Sequence, residues 1–204
     1  MPTVSIVVTN YNYSKYILRC LRSCLSQKHA DIEIVLVDDA SPDDSIDKIN
    51  SFLPEINLIQ NQKNLGVAES ANKGIQAAKA QFVIRVDADD FVARDMCYIM
   101  SEYLELNHEA FCVSCDYLLV DEYENVLDRK YAETDNISCG IMYRRDLLIE
   151  MGGYNSNMRH REEEELRKRR GDKYKIHHFE IPFYRYRMHS TNKTKTKEYS
   201  ETTI

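Results

Sequence analysis

No apolar run in this 204-residue sequence approaches the ~20 residues that a membrane-spanning helix needs. Nor does a basic segment with an apolar core stand at the N-terminus, where the chain passes directly into a strand-like stretch, so a cytoplasmic protein is expected. Positive charge is not in excess: 27 Lys and Arg face 33 Asp and Glu, a formal net charge of -6. That balance argues against broad phosphate-backbone binding, and nucleic acid is not an expected partner, although Arg and Lys gather in the last quarter of the chain. The six cysteines lack the spacing of a disulfide or zinc framework. Cys20 and Cys24 fall in a helical pattern, Cys97 and Cys139 in apolar surroundings, and Cys112 and Cys115, though C-x-x-C, have no second pair; all six read as buried thiols. The triplets opened by Asn12, Asn136 and Asn192 match a glycosylation acceptor but mean little without a secretory signal. No internal repeat is apparent. What is present, 43% hydrophobic and 29% charged residues, is the composition of a globular chain able to bury a core.

Local pattern alternates strand with helix. "VSIVVTN" (4–10) is a β-branched run, and "YSKYILRCLRSCLSQ" (13–27) then sets Ile17, Leu18, Leu21 and Leu25 at helical spacing. "IEIVLVDD" (32–39) repeats the strand signal, and Ser41-Pro42 supplies a cap and proline before a second helix. "INLIQN" (56–61) is a third strand, Gly66 opens an alanine-rich helix, and "FVIRVD" (82–87) is a fourth strand. Strands apolar throughout and alternating with helices imply a parallel sheet covered on both faces. With right-handed crossovers, the first 90 residues make a Rossmann-like half. Beyond it come a helix over 94–106, the strand "AFCVSCDYLLVD", a charged turn near "DEYENVLD", a strand and short helix ending at Gly152-Gly153, a charged helix "REEEELRKRR", the strand "KIHHFEIPFYRYRMH" and a polar tail from about Asn192.

In open α/β sheets ligands collect beyond the carboxyl ends of the strands, and here those ends are polar. Strand one ends in Thr9, Asn10, Tyr11 and Asn12, strand two in Asp38 and Asp39, strand four in Asp87, Asp89 and Asp90. Three carboxylates within four positions repel and resist leaving water, so a cation or a set of donors is expected beside them. Tyr11 could stack on a base, Asp38 or Asp39 accept a base N–H, and Asp87 with Asp89 hold a ribose and a divalent metal. Asp43 and Asp44 read as helix caps, and Asp90 could cap the helix from Arg94.

The ordered motifs resemble those of the family 2 glycosyltransferases, inverting enzymes of the GT-A fold that use nucleotide-sugar donors. "VSIVVTNYN" looks like the family's opening strand, "IEIVLVDDASPDDS" resembles its V-D-D segment, "NLGVAESANKGI" its N-x-G…N-x-G helix start, and "VIRVDADD" its metal-binding D-x-D. "YRRDLLIEMGGYN" resembles the stretch before its catalytic helix, "EEEELRKR" stands where it has E-D-x-E-L-x-x-R, and "YRMHSTN" is similar to its closing Y-R-x-H. The resemblance implies a GT-A fold with a mostly parallel central sheet flanked by helices, in which residues 1–105 bind the nucleotide-sugar and 106–204 the acceptor within one domain. It also implies that Thr9, Tyr11, Asp38 and Asp39 contact the nucleoside, that Asp87 lies near the ribose, and that Asp89 ligates Mn²⁺ or Mg²⁺. His189 is implied at the metal or diphosphate, supported by Arg187.

Glu163 occupies the position at which most relatives carry the Asp general base. Helix geometry points the same way: if Leu166 packs inward, Glu163 and Glu162 share its face while Glu164 and Glu165 rotate away. Glu163 is the first candidate for the base and Glu162 the second. In the last strand, alternation places Arg185, Arg187 and His189 on one basic face.

The expected activity is metal-dependent transfer of a sugar, from a UDP-sugar by preference, to a hydroxyl of a glycan or lipid-linked acceptor in bacterial surface polysaccharide synthesis. A homodimer, a partner protein or contact with the inner face of the membrane would complete a short acceptor side. The alternative is a weak or inactive nucleotide-sugar binder of the same fold. A receiver-like phosphoprotein fits poorly, because the third strand ends in Asn61 and Gln62 instead of an aspartate, and "TNYNYSKY" is not the glycine-rich loop of a nucleotidyltransferase.

Overall fold

In the computed structural model, residues 2–135, 137–158, 161–171 and 175–192 are described; the tail beyond Asn192 and the residue Asn136 lie outside them. The strand-and-helix rhythm is realised as β1 (Val4–Asn10), α1 (Ile17–Leu25), β2 (Ile32–Asp38), α2 (Ser45–Ile49), β3 (Asn57–Gln60), α3 (Val67–Ala77) and β4 (Phe82–Asp87). These strands pair in parallel in the order β3-β2-β1-β4. The register puts Asn10 beside Asp38 and Thr9 beside Asp87, so the polar strand ends form one edge.

Period two along β1 divides the core. Val4, Ile6 and Val8 join Ile17, Leu21, Met96 and Met100 on one face, while Val7 packs with Ala68, Ala71 and Ile75 on the other. Close approach of α3 depends on Gly74, where an added Cβ would lie 2.3 Å from Val7 Cγ1.

After β4 come β5 (Phe91–Val92), α4 (Met96–Leu106), β6 (Ala110–Val120), β7 (Val126–Lys130), β8 (Ile141–Arg144), α5 (Arg145–Glu150), α6 (Glu162–Arg170) and β9 (Lys175–Arg187). Antiparallel β8 links β4 to β6, the long β9 runs parallel to β6, and β5 closes against Tyr184 and Arg185 of β9. The sheet thus has nine strands among the described residues, with the longest ladders parallel. This is the α/β architecture expected of the sequence.

Several local expectations are adjusted. Residues 13–16 form a turn closed by the Tyr16 N–H on the Tyr13 carbonyl, which delays α1 to Ile17. The short β5 and β7 lack strand patterning: β5 has two residues, and β7, which among the described residues pairs with β6 alone, exposes Val126 and Leu127. Of the two expected caps of α2, Asp44 stands at the N-cap position without a side-chain capping bond, while Asp43 before it accepts the backbone N–H groups of Ser45 and Ser14; Asp90 does not cap α4. All six cysteines are buried free thiols.

Candidate active site

The carboxyl ends of β1, β2 and β4 open into a cavity lined by Tyr11, Asp39, Asp87 and Asp89 on one side and by Glu162 and Glu163 of α6 on another. Asp39 is held rigidly: its oxygens accept from Asn61 Nδ2 and from the backbone N–H groups of Leu65 and Gly66, each at 2.8 Å. Tyr11 keeps its ring 37% exposed at the mouth, where a planar group could stack. Asp38 does not line the cavity. Its carboxylate binds Asn10 Nδ2 at 2.7 Å and Ser41 Oγ at 2.6 Å, fixing the turn after β2. Asn10 Oδ1 is left buried without a protein partner, in a residue that does line the cavity. Its orientation is set by Asp38, which can only accept, so the orphaned acceptor is available to an N–H or O–H donor.

The three aspartates after β4 have separate environments. Asp87 accepts from Thr9 Oγ1 at 2.9 Å and from Arg85 Nε at 3.0 Å. Burial works to raise its pKa, but Arg85 outweighs burial and holds the carboxyl below the ordinary value. Asp89 meets His189 Nε2 at 2.9 Å, and His189 Nδ1 meets Thr191 Oγ1 at 2.8 Å. Asp90 also borders the cavity, but both of its oxygens are engaged: it accepts from Tyr184 Oη at 2.7 Å and from the Arg187 N–H at 2.8 Å, binding β9 to the turn. Burial first, then Asp89 and Asp87, push its pKa well up.

The Asp89–His189 pair is the set to which a divalent cation is assigned by sequence, and its chemistry fits. The Asp89 carboxylate leaves most coordination positions to phosphate oxygens and water, the usual arrangement for Mg²⁺ at a substrate diphosphate, and His189 Nε2 stands beside it as a nitrogen donor, although His189 does not itself line the cavity. Among the described residues no three His, Cys, Asp or Glu side chains form a cage made of protein alone. Arg187, assigned to the diphosphate by sequence, does not line the cavity. Its guanidinium donates to the Asp89 carbonyl at 2.9 Å and to Glu122 O and Glu124 Oε1 at 3.3 Å, and lies over the Tyr16 and Phe91 rings. The expected basic face of β9 is therefore internally neutralised at Arg187, while Tyr186 lines the cavity.

Helix α6 presents the face that its sequence implies. Glu162, Glu163 and Leu166 are buried; Glu164 is exposed and Glu165 partly so, but Glu164, expected to rotate away, also borders the cavity at its outer side. Four acidic residues in the first turn and four basic ones in the last complement the helix dipole. Arg169 anchors the helix by donating to Gly153 O at 2.7 Å, to the Met151 carbonyl and to Glu165. Glu163 Oε2 accepts from Tyr143 Oη at 2.6 Å and its Oε1 from Arg167 Nε at 2.9 Å, yet burial raises its pKa. Glu162 instead accepts from Arg85 Nη1 at 2.7 Å; against the effect of burial, Arg85 keeps its pKa low. Two adjacent carboxylates are thus pushed in opposite directions.

Sequence reasoning missed Arg85, Tyr143 and Tyr184. Only Arg85 carried a local signal, a lone charge inside an apolar strand.

Comparison with known proteins agrees with this architecture. The chain is 33% identical over 122 residues to an uncharacterized glycosyltransferase of Haemophilus influenzae, covering 55% of this chain and 49% of that protein. It is 34% identical over 122 residues to the glycosyltransferase GlyG of Streptococcus pneumoniae, covering 58% of this chain and 40% of the relative. It therefore spans about half or less of the length of these curated relatives. Among solved structures, TarS residues 1–349 of S. aureus in complex with UDP-GlcNAc superposes with a TM-score of 0.78 at 20% identity, over 93% of this chain and 60% of that one. The mannosyltransferase PcManGT of Pyrobaculum calidifontis, in complex with GDP-Man and Mn²⁺, gives 0.74 at 18% identity over 94% and 58%. Among the described residues no helix is long and apolar enough to cross a membrane. The sequence profile described as glycosyl transferase family 2 matches residues 5–196, nearly the whole span that builds the sheet and its acidic edge, and the chain belongs to that family.

Proposed function

We propose that this chain transfers a sugar, with inversion, from a nucleoside diphosphate donor to a hydroxyl of a glycan or lipid-linked acceptor. The observation that carries this reading is the meeting, in one cavity, of Asp39, Asp87 and Asp89 from the sheet edge with Glu162 and Glu163 from α6. Tyr11, Asp39 and Thr9 receive the nucleoside, with Asn10 Oδ1 as a further acceptor, and Asp87 faces the ribose. Asp89 and His189 would hold Mn²⁺ or Mg²⁺, which when bound offsets charge on the diphosphate leaving group. Glu163, its pKa raised by burial and its orientation set by Tyr143 and Arg167, takes the proton of the acceptor hydroxyl as the oxygen attacks the anomeric carbon. Glu162 is the weaker candidate for this step, because Arg85 holds it ionised at low pKa.

A UDP-sugar is the favoured donor, supported by the complexes of TarS with UDP and UDP-GlcNAc; PcManGT with GDP-Man keeps guanine in the test. Similarity to a chondroitin synthase of Escherichia coli and a hyaluronan synthase of Pasteurella multocida supports a glycan acceptor in surface polysaccharide synthesis. The acceptor side is completed by a homodimer or a partner protein, and a lipid-linked acceptor would bring the chain to the cytoplasmic face of the membrane.

Calorimetric titration of UDP, GDP, dTDP and CMP, with and without Mn²⁺, tests the donor site. Metal-dependent binding of one diphosphate, lost in Asp89→Ala, is the expected result; absence of binding by all four with metal present overturns the reading. A second reading, a nucleotide-sugar binder without turnover, is favoured by one observation, that both Glu163 oxygens already accept hydrogen bonds. Binding with no release of UDP from a UDP-sugar in the presence of acceptor would select it.

A further inference from the structure

Arg85 is a charge buried in a strand whose neighbours are Ile84 and Val86, and it is 6% exposed. An isolated guanidinium there would be prohibitively costly, so its partners account for its presence. Two of its nitrogens face Asp87, Nε to Oδ1 at 3.0 Å and Nη2 to Oδ2 at 3.2 Å, because residues two apart on β4 share a face. The third, Nη1, reaches Glu162 Oε1 at 2.7 Å across 77 residues of chain. The planar fork is therefore divided between a carboxylate at the donor side and one on α6, and its carbon stands 5.7 Å from the centre of the Tyr154 ring. Thr9 Oγ1 extends the chain of contacts to β1 through Asp87.

We propose that Arg85 is a positioning residue that couples the donor side to α6: a nucleotide settling against Asp87 fixes Arg85, and Arg85 fixes Glu162 and so the helix carrying Glu163. This rests on the functional reading above. A lysine at this position could not serve both partners with the same geometry, because it presents a point charge in place of a fork. The device supplies what a two-sided transferase requires, namely that the acceptor-side carboxylates are in place when the donor is bound.

The test is hydrogen–deuterium exchange of α6, residues 162–170, with and without Mn²⁺ and whichever of UDP, GDP or dTDP binds. In the wild type the nucleotide is expected to slow exchange in α6 at least threefold. In Arg85→Met and in Glu162→Met the nucleotide still binds, within about tenfold of wild type, but that protection disappears; Arg85→Lys restores part of it. Where turnover is measurable, Arg85→Met lowers kcat at least tenfold and leaves donor KM within about threefold. A purely structural ion pair would raise exchange in the variants equally with and without nucleotide, and that outcome overturns the proposal. So does persistence of nucleotide-induced protection in Glu162→Met, a variant that leaves Arg85 and Asp87 intact should Arg85→Met fail to fold. Failure of the wild type to bind any of the three nucleotides is a different result: it removes the donor reading, and the coupling falls with it.

Discussion

At the residue scale, adjacent glutamates do opposite things to stability. Glu163 has its pKa raised by burial, so between its ordinary value near 4.5 and the raised one the folded state binds more protons than the unfolded. Stability therefore falls as pH rises through that window, and the penalty is full above it. Glu163→Gln is expected to unfold at a higher temperature than wild type at pH 7, with the gain vanishing below about pH 4.5, while transfer drops at least about 100-fold, within the range for loss of a general base. Calorimetric melts across pH, paired with an assay of UDP release, check both halves; a variant that keeps full transfer removes Glu163 as base. Glu162 and Asp87 have the reverse sign. Arg85 lowers both, so their contribution is present above the ordinary carboxylate range and is lost as pH falls through the depressed values. Arg85→Met should flatten this acid limb of the stability curve.

At the scale of elements, the site depends on how α6 and α3 are fastened. The turn after α5 passes through Gly152 and Gly153, and at Gly153 φ is +64°. A Cβ there would also lie 2.5 Å from Asn72 Oδ1, the atom that accepts the Tyr154 N–H at 2.9 Å. Asn72 Nδ2 returns a bond to Tyr154 O at 2.7 Å, so one side chain on α3 clamps the chain before α6. Gly153→Ala is expected to cost about 2 kcal/mol from the left-handed conformation and the collision together. Arg169→Ala should cost about 1–3 kcal/mol, since it removes charge-assisted bonds to two carbonyls at that turn. Urea melts measure both. A change below ~0.5 kcal/mol in either would mean that α6 is held mainly by Leu166 and Tyr143.

Across the whole molecule, β9 is the element on which closure turns. It lies between β6 and β5, and it supplies Tyr184 and Arg187, whose bonds to Asp90 and to the Asp89 carbonyl shape the aspartate turn. A chain ending at residue 174 is expected to lose cooperative unfolding and metal-dependent nucleotide binding together, because it exposes the apolar length of β6 as a sheet edge. Circular dichroism melts with calorimetric titration test this. A cooperative melt with retained binding would show that the parallel half is sufficient for the donor site.

Much of this was written locally. The apolar, β-branched runs of β1, β2 and β4 carry the parallel sheet, since strands buried on both faces need no alternation, and their polar ends mark the edge where ligands collect. Leu166 oriented α6 and singled out Glu162 and Glu163, because a helical face repeats every three to four residues whatever it packs against. Tertiary structure alone decided which aspartate does what. Asp38 and Asp39 are neighbours in sequence, yet one binds Asn10 and the other faces the cavity; Asp89 meets His189 while Asp90 takes Tyr184. It also turned Arg187 inward and joined Arg85 to Glu162. The physical reason is distance along the chain: these partners lie 28 to 100 residues apart, and a periodicity of two or four residues states which face a side chain occupies but not what folds against it.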